Sequence, residues 1–402
     1  MASNIEDERY IRVGTTLYKI VRKPLQSGDF YEIRISWNYD TLKQDHNKEF
    51  ITQIKKYDGF CCLPDHVNYK RTIGTFLNEY EPIDVTPSQG VFPSITAFLH
   101  HIFGEQYEMG LDYLQLLYTR PLQRLPILLL VSKERNTGKT TLLNLLKAIF
   151  GANMTFNTND DFRSQFNSDW ATKLIVAVDE VLLDRKEDSE RIKNLSTARS
   201  YKAEAKGKDR NEVEFFAKFV LCSNNELNPI QIEQGETRYW VRRVPTIEDG
   251  DNVNLLSEMK KELPAFLWFL LHRQLLTRNE TRMWFRADLL VNDALRKIIN
   301  HNRNKTESEM LHIIAEIMEI ERLDEFVFCI GDMAYMLEVR GLRCEHNHLR
   351  KILQQNWELR PNEPRYYTSY RLLYDGTIDQ SPRTGRCYVI TQQRLNEILL
   401  LC

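Results

Sequence analysis

Hydrophobic and polar positions alternate clearly over residues 10–37, where Tyr10, Arg12, Thr16, Tyr18 and Ile20 precede Tyr31, Ile33 and Ile35. Alternation of period two predicts a small β-meander with turns at Gly14 and Gly28. Residues 38–57 are polar with a helical spacing. Pro82, Pro87, Gly90 and Pro93 mark the stretch from Tyr80 to Pro93 as a linker. Helical periodicity follows over 94–119 through Ile95, Phe98, Leu99, Ile102, Leu111, Leu114 and Leu117. The pattern then changes. Continuous apolar runs occur at Ile127–Val131, Leu174–Val178 and Phe219–Leu221, as strands buried on both faces require. Helical segments between them predict a mostly parallel sheet. Residues 251–300 read as helices, with Leu263 to Leu271 nearly all apolar. The last hundred residues read as helix, helix and a β-hairpin around Asp375 to Arg386, an order that suits a winged helix.

The expected organisation is a small α+β region at 1–93 and a helical lead-in at 94–125. An α/β core at 126–250, a helical extension at 251–300 and a winged-helix-like part at 301–402 complete it. Residues are 42% hydrophobic and 27% charged, which excludes long disorder. The longest apolar run, Ala265 to Leu271, is too short for a membrane span, and the first thirty residues have no apolar core of a secretory signal. Seven cysteines, an odd number without a CxxC pair, suit a reducing cytoplasm. Neither Cys344, His346 and His348 nor Cys61, Cys62 and His66 has a structural zinc spacing, and both groups read as ordinary core or surface.

The strongest local signal runs from Lys133 through Asn136, Thr137, Gly138, Lys139 and Thr140 to Thr141, directly after the first apolar run. A phosphate loop needs backbone N–H groups at a helix N-terminus, a lysine for the β/γ-phosphates and a hydroxyl for Mg²⁺. The first glycine of that motif is replaced by Lys133, and Asn136 can supply a left-handed turn. Asp179 and Glu180 end the second run. There Asp179 suits Mg²⁺ and Glu180 suits general-base activation of water. The third run ends at Ser223, Asn224 and Asn225, and an asparagine there can orient the lytic water. Arg238, Arg242 and Arg243 follow, and an arginine aimed at a neighbour's γ-phosphate stabilises transition-state charge.

These elements, in this order between Lys133 and Pro245, resemble superfamily 3 helicases, a branch of the AAA+ ATPases, and more closely the helicase part of phage and plasmid primase-helicases. The resemblance covers 126–245, and extends loosely upstream through Asp112 to Pro121. It implies ATP and Mg²⁺ as cofactors, Asn224 as the third-strand sensor, and an arginine finger in trans. Arg238 is the first choice for that finger, with Arg242 and Arg243 left open. It implies a homo-hexameric ring that translocates on single-stranded DNA or a forked duplex. The segment from Arg191 to Arg210 resembles the family's channel hairpin, and Lys202, Lys206 and Lys208 become the DNA contacts. Region 1–93 is too short for the usual primase fold, so a primase would be a separate chain. The expected setting is the host cytoplasm. The alternative is an AAA+ initiator or loader whose C-terminal part reads duplex DNA.

Charge sharpens this picture. The formal net charge is −2. Residues 193–210 carry six basic and two acidic residues, 307–338 nine acidic and one basic, and 340–386 nine basic and five acidic. DNA contact is therefore expected at a few local lysines and arginines. Arg383, Gly385 and Arg386 either touch DNA or pair with the acidic 307–338 segment. Tyr366, Tyr367, Tyr370 and Tyr374 are expected to pack on the sheet.

Overall fold

The computed structural model describes residues 9–24, 30–163, 169–183, 186–203, 211–232, 235–247, 252–302 and 305–400. The molecule is a mixed α/β structure built around a parallel sheet with flanking helices. Two helices, α1 (Pro93–Phe103) and α2 (Tyr107–Thr119), lead into the sheet. The single helical stretch expected over 94–119 breaks at Gly104, whose φ of +49° an L side chain resists.

Five strands form the central sheet: β1 (Ile127–Val131), β2 (Met154–Phe156), β3 (Ile175–Val178), β4 (Lys218–Ser223) and β5 (Tyr239–Arg243). Their order is β5-β1-β4-β3-β2, with every neighbour parallel. Helices α3 (Lys139–Phe150) and α4 (Lys186–Thr197) lie between strands in the chain, and α5 (Leu255–His272) follows the sheet. All residues of β1, β3 and β4 are buried. The period-two geometry sends Leu128 and Leu130 into one core with α1, α2, α3 and α5. It sends Ile127, Leu129 and Val131 into a second core with Ile192 and Leu195 of α4. Because the strands are parallel, the loops after β1, β3 and β4 leave at one rim. Strand order reverses beside β1, the place where open parallel sheets bind ligands.

The N-terminal part has strands at Arg9–Val13, Thr16–Pro24 and Phe30–Trp37, as the alternation requires, with Gly14 at φ +57° in the first turn. Gly28 lies outside the described residues. Residues 38–57 give two short helices, but end in a strand, Lys55–Tyr57, that pairs with the first. His66 fastens this part to the core. Its Nδ1–H donates to the Tyr118 carbonyl at 2.7 Å, and its Nε2 accepts from the Tyr80 hydroxyl at 2.6 Å.

The C-terminal part runs helix Lys305–Ile320, strand Glu325–Phe328, helices Ile330–Val339 and His346–Lys351, then a hairpin. That hairpin, Arg365–Leu372 with Ile378–Gly385, is longer than expected and turns near Asp375, not beyond it. Arg383 pairs with Asp332 at 3.0 Å, and Arg371 with the same carboxylate at 2.8 Å, so of the two roles left open for Arg383 the ion pair is the one seen. Tyr367 is buried and Tyr370 meets Phe326. Tyr366 and Tyr374, expected to pack, are largely exposed, although Tyr374 touches the edge of Tyr335. Among the described residues no helix is long and apolar enough to cross a membrane.

Candidate active site

The loop between β1 and α3 sits at the rim where the β3 and β4 loops also emerge. Asn136 has φ +55° and Gly138 φ +86°, so the loop turns twice through the left-handed region. A side chain at Gly138 would meet Phe98 of α1, with Cβ 3.0 Å from Cε2. The loop therefore rests directly on α1. His101 of the same helix donates from Nε2 to the Thr137 carbonyl at 3.0 Å.

Lys139 opens α3 and is buried. Its ammonium donates to the Ser132 hydroxyl, to Thr137 Oγ1 at 3.0 Å and to Asn224 Oδ1 at 3.0 Å. Burial lowers its pKa, partly offset by nearby negative charge including Asp179 and Glu180. All three bonded acceptors are neutral oxygens, so the cation keeps its attraction for an anion. Thr140 donates to Asp179 Oδ2 at 2.8 Å. Asn224 Nδ2 reaches Glu180 Oε1 at 3.5 Å. Glu180, Asp179 and Asn224 are exposed at this rim, and Thr141 is half-buried in the first turn of α3. Glu180 itself has φ +59°, a conformation that costs a non-glycine residue free energy and is found at functional sites. A lysine, a hydroxyl–carboxylate oxygen pair and a second carboxylate beside loop N–H groups fit a polyphosphate with a hard divalent cation.

The three arginines differ in their distance from this rim. Arg238 precedes β5 at the opposite end of the sheet from the loop, since Tyr239 pairs with Ile127 and Arg243 with Val131. Its guanidinium pairs with Glu236 at 2.9 Å. Arg242 is buried against Glu105 at 2.9 Å and Gln106 at 2.8 Å, which occupies it structurally. Arg243 is exposed at the loop end of β5 and pairs with Glu226.

The segment after α4 forms an antiparallel hairpin, Ser200–Ala203 with Asn211–Glu214. Lys202 is exposed on its first arm, opposite Glu212. Lys206, Gly207 and Lys208 lie outside the described residues. Lys193, counted above in the basic segment, belongs instead to α4. It is 4% exposed and pairs with Glu190 and Glu236. The hairpin base is anchored by Tyr201, which stacks on Trp170 at 5.7 Å and contacts Phe215 at 5.4 Å. Sequence reasoning missed Ser132 and His101. Ser132 carries only the weak signal of a hydroxyl at the end of a buried strand, and His101 carries none.

A family model described as a family of unknown function, DUF5906, matches residues 130–243, the span from β1 to β5. A DNA primase-polymerase of Nitratiruptor phage NrS-1 is 33% identical over 113 residues, 27% of this chain. The match spans 16% of the length of that curated relative. The apo structure of the NrS-1 C-terminal region superposes with a TM-score of 0.64 at 15% identity, covering 96% of this chain and 95% of that one. A second apo form of the same region gives a TM-score of 0.62 at 14% identity, over 96% of each chain. The chain thus shares the mixed α/β fold of the NrS-1 C-terminal region along nearly its whole length, and a stretch of 113 residues is related in sequence to part of a phage DNA primase-polymerase.

Proposed function

We propose that this protein is an ATP-dependent replicative DNA helicase of a phage, virus or plasmid, built on an AAA+ core of the superfamily 3 type. The observation that carries the reading is the chain from Lys139 through Asn224 to Glu180, at 3.0 and 3.5 Å, on the rim where the phosphate loop emerges. It joins the phosphate-binding cation, a water-orienting amide and a candidate general base in one place. The phage origin of the related primase-polymerase supports a role in DNA replication.

In this reading Asn136, Thr137, Gly138, Lys139, Thr140 and Thr141 hold the triphosphate, and Thr140 with Asp179 holds Mg²⁺. The metal, when bound, neutralises charge on the phosphate oxygens. Glu180 takes the proton from the attacking water while Asn224 holds that water in line. Lys139 meets the charge that grows on the phosphates. Arg238 acts on a neighbouring copy's nucleotide, and its place at the far end of the sheet from its own loop is compatible with that role. The active unit is then a homo-oligomer, a hexamer by resemblance.

Lys202, Lys206 and Lys208 follow the backbone of single-stranded DNA without reading bases. The C-terminal order of helix, strand, helix, helix and hairpin fits a winged helix. Because Asp332 engages Arg371 and Arg383, duplex reading by that hairpin is the weaker alternative. The setting is the host cytoplasm.

The test is displacement of a labelled strand from a forked duplex. The helicase reading expects displacement that requires hydrolysable ATP and is lost in Lys139→Ala. Hydrolysis without displacement on forks of either polarity contradicts it and favours the initiator or loader alternative.

A further inference from the structure

We infer that His101 is a positioning residue of the phosphate loop, which fixes the direction of the Gly138 N–H by holding the Thr137 carbonyl. The inference deepens the nucleotide-binding reading above and rests on it.

His101 Nε2 lies 3.0 Å from the Thr137 carbonyl oxygen. A carbonyl only accepts, so Nε2 carries the hydrogen. Thr137 and Gly138 share one planar trans peptide, in which C=O and N–H point in opposite directions. With the carbonyl drawn toward α1, the Gly138 N–H is directed away from it, to the open side of the loop. That side is where a phosphate bound at the N-terminus of α3 would lie. The imidazole thus sets the direction of a group that it does not touch.

The helix that carries His101 is held at both ends. Glu262 of α5 accepts from Ser94 N–H at 3.1 Å and from Ile95 N–H at 2.9 Å, at the start of α1. At its other end, Glu105 is bound by Arg242 of β5 at 2.9 Å. Between these anchors Phe98 lies under Gly138, so the loop cannot sink toward the helix. A donor on a fixed strut, facing a carbonyl in a loop with two left-handed residues, holds one of the conformations open to that loop.

A loop N–H contacts phosphate in the ground and transition states alike, so its misdirection affects binding and not the chemical step. The experiment titrates the full chain with ATP, ADP and inorganic pyrophosphate, and measures steady-state ATPase, for wild type, His101→Leu and His101→Gln. His101→Leu should weaken ATP, ADP and pyrophosphate together by roughly 3- to 10-fold, the loss of about one net hydrogen bond. It should raise KM similarly and leave kcat within about twofold. His101→Gln keeps a terminal N–H donor and should recover most of the affinity. Unchanged binding in His101→Leu overturns the inference. So does an equal loss in both variants, or a fall in kcat at constant KM. A wild-type chain that binds none of the three ligands overturns the nucleotide reading itself, and the inference with it.

Discussion

Lys139 Nζ donates to Asn224 Oδ1 at 3.0 Å, across 85 residues of sequence, and so joins the end of β4 to the start of α3. Parallel strands make this contact possible. Ser223 pairs with Val131, and the residues after both strands meet at the same rim. On the proposed function, nucleotide binding and water orientation share one hydrogen-bonded group.

Separate variants should divide that group. Glu180→Gln should reduce hydrolysis roughly 10²- to 10⁴-fold, the usual contribution of a general base, with nucleotide affinity retained. Asn224→Ala should lower kcat on the order of 10²-fold, as expected for one group aimed at the reacting atoms. Equilibrium nucleotide titration beside steady-state ATPase checks both.

His66 provides a test of how the N-terminal part is held. Burial lowers its pKa from 6.5 to about 4, although its bond to the Tyr118 carbonyl acts the other way. The neutral ring is therefore the form the fold prefers. The unfolded chain binds a proton near pH 6.5 and the folded one near pH 4, so stability falls as pH drops through this window. Melting temperature between pH 7 and 4 should decline less steeply in His66→Asn than in wild type.

Lys218 titrates in another window. Its ammonium donates to the carbonyls of Pro121 and Phe216, yet complete burial brings its pKa down to about 7, with Arg124 adding to the shift. An unfolded lysine keeps its proton to about pH 10.4. The unfolded state then binds more protons above pH 7, and stability rises with pH between about 7 and 10.4. Lys218→Met should flatten that rise in denaturant midpoints measured from pH 7 to 10.

The C-terminal part holds a buried carboxylate at Asp332. Asp332 accepts from Arg371 and pairs with Arg383, and Tyr367 donates to it at 3.2 Å. Asp332→Ala strands two guanidinium groups that are partly solvated, so the cost should be about 2–4 kcal/mol, below the full penalty for breaking a buried pair. Hydrogen exchange over 325–391 should rise while exchange in β1 and β4 stays at the wild-type level.

The sequence made the centre of the sheet plain and its borders obscure. β1, β3 and β4 are covered on both faces and read as unbroken apolar runs. β2 and β5 are the edges. The first is three residues long, and the second carries Arg242 and Arg243, so neither shows that signature. That Asp179, Glu180 and Asn224 come to the rim beside the loop after β1 was legible, because each ends one of the unbroken apolar runs. His101 was not, because its role depends on how α1 packs. Charge counting also misjudged Lys193. A lysine within a basic run lies buried in α4, where Glu190 and Glu236 neutralise it.

Helicase action requires that nucleotide hydrolysis be coupled to a single strand of DNA, and an ATPase titration with single-stranded DNA measures that coupling. Such coupling predicts Mg²⁺-dependent hydrolysis that saturates with DNA at a raised rate. It also predicts that Lys202→Glu weakens the stimulation and leaves the DNA-free rate unchanged. A rate that stays flat across the DNA titration, at protein concentrations where an oligomer is seen by mass photometry, would contradict it.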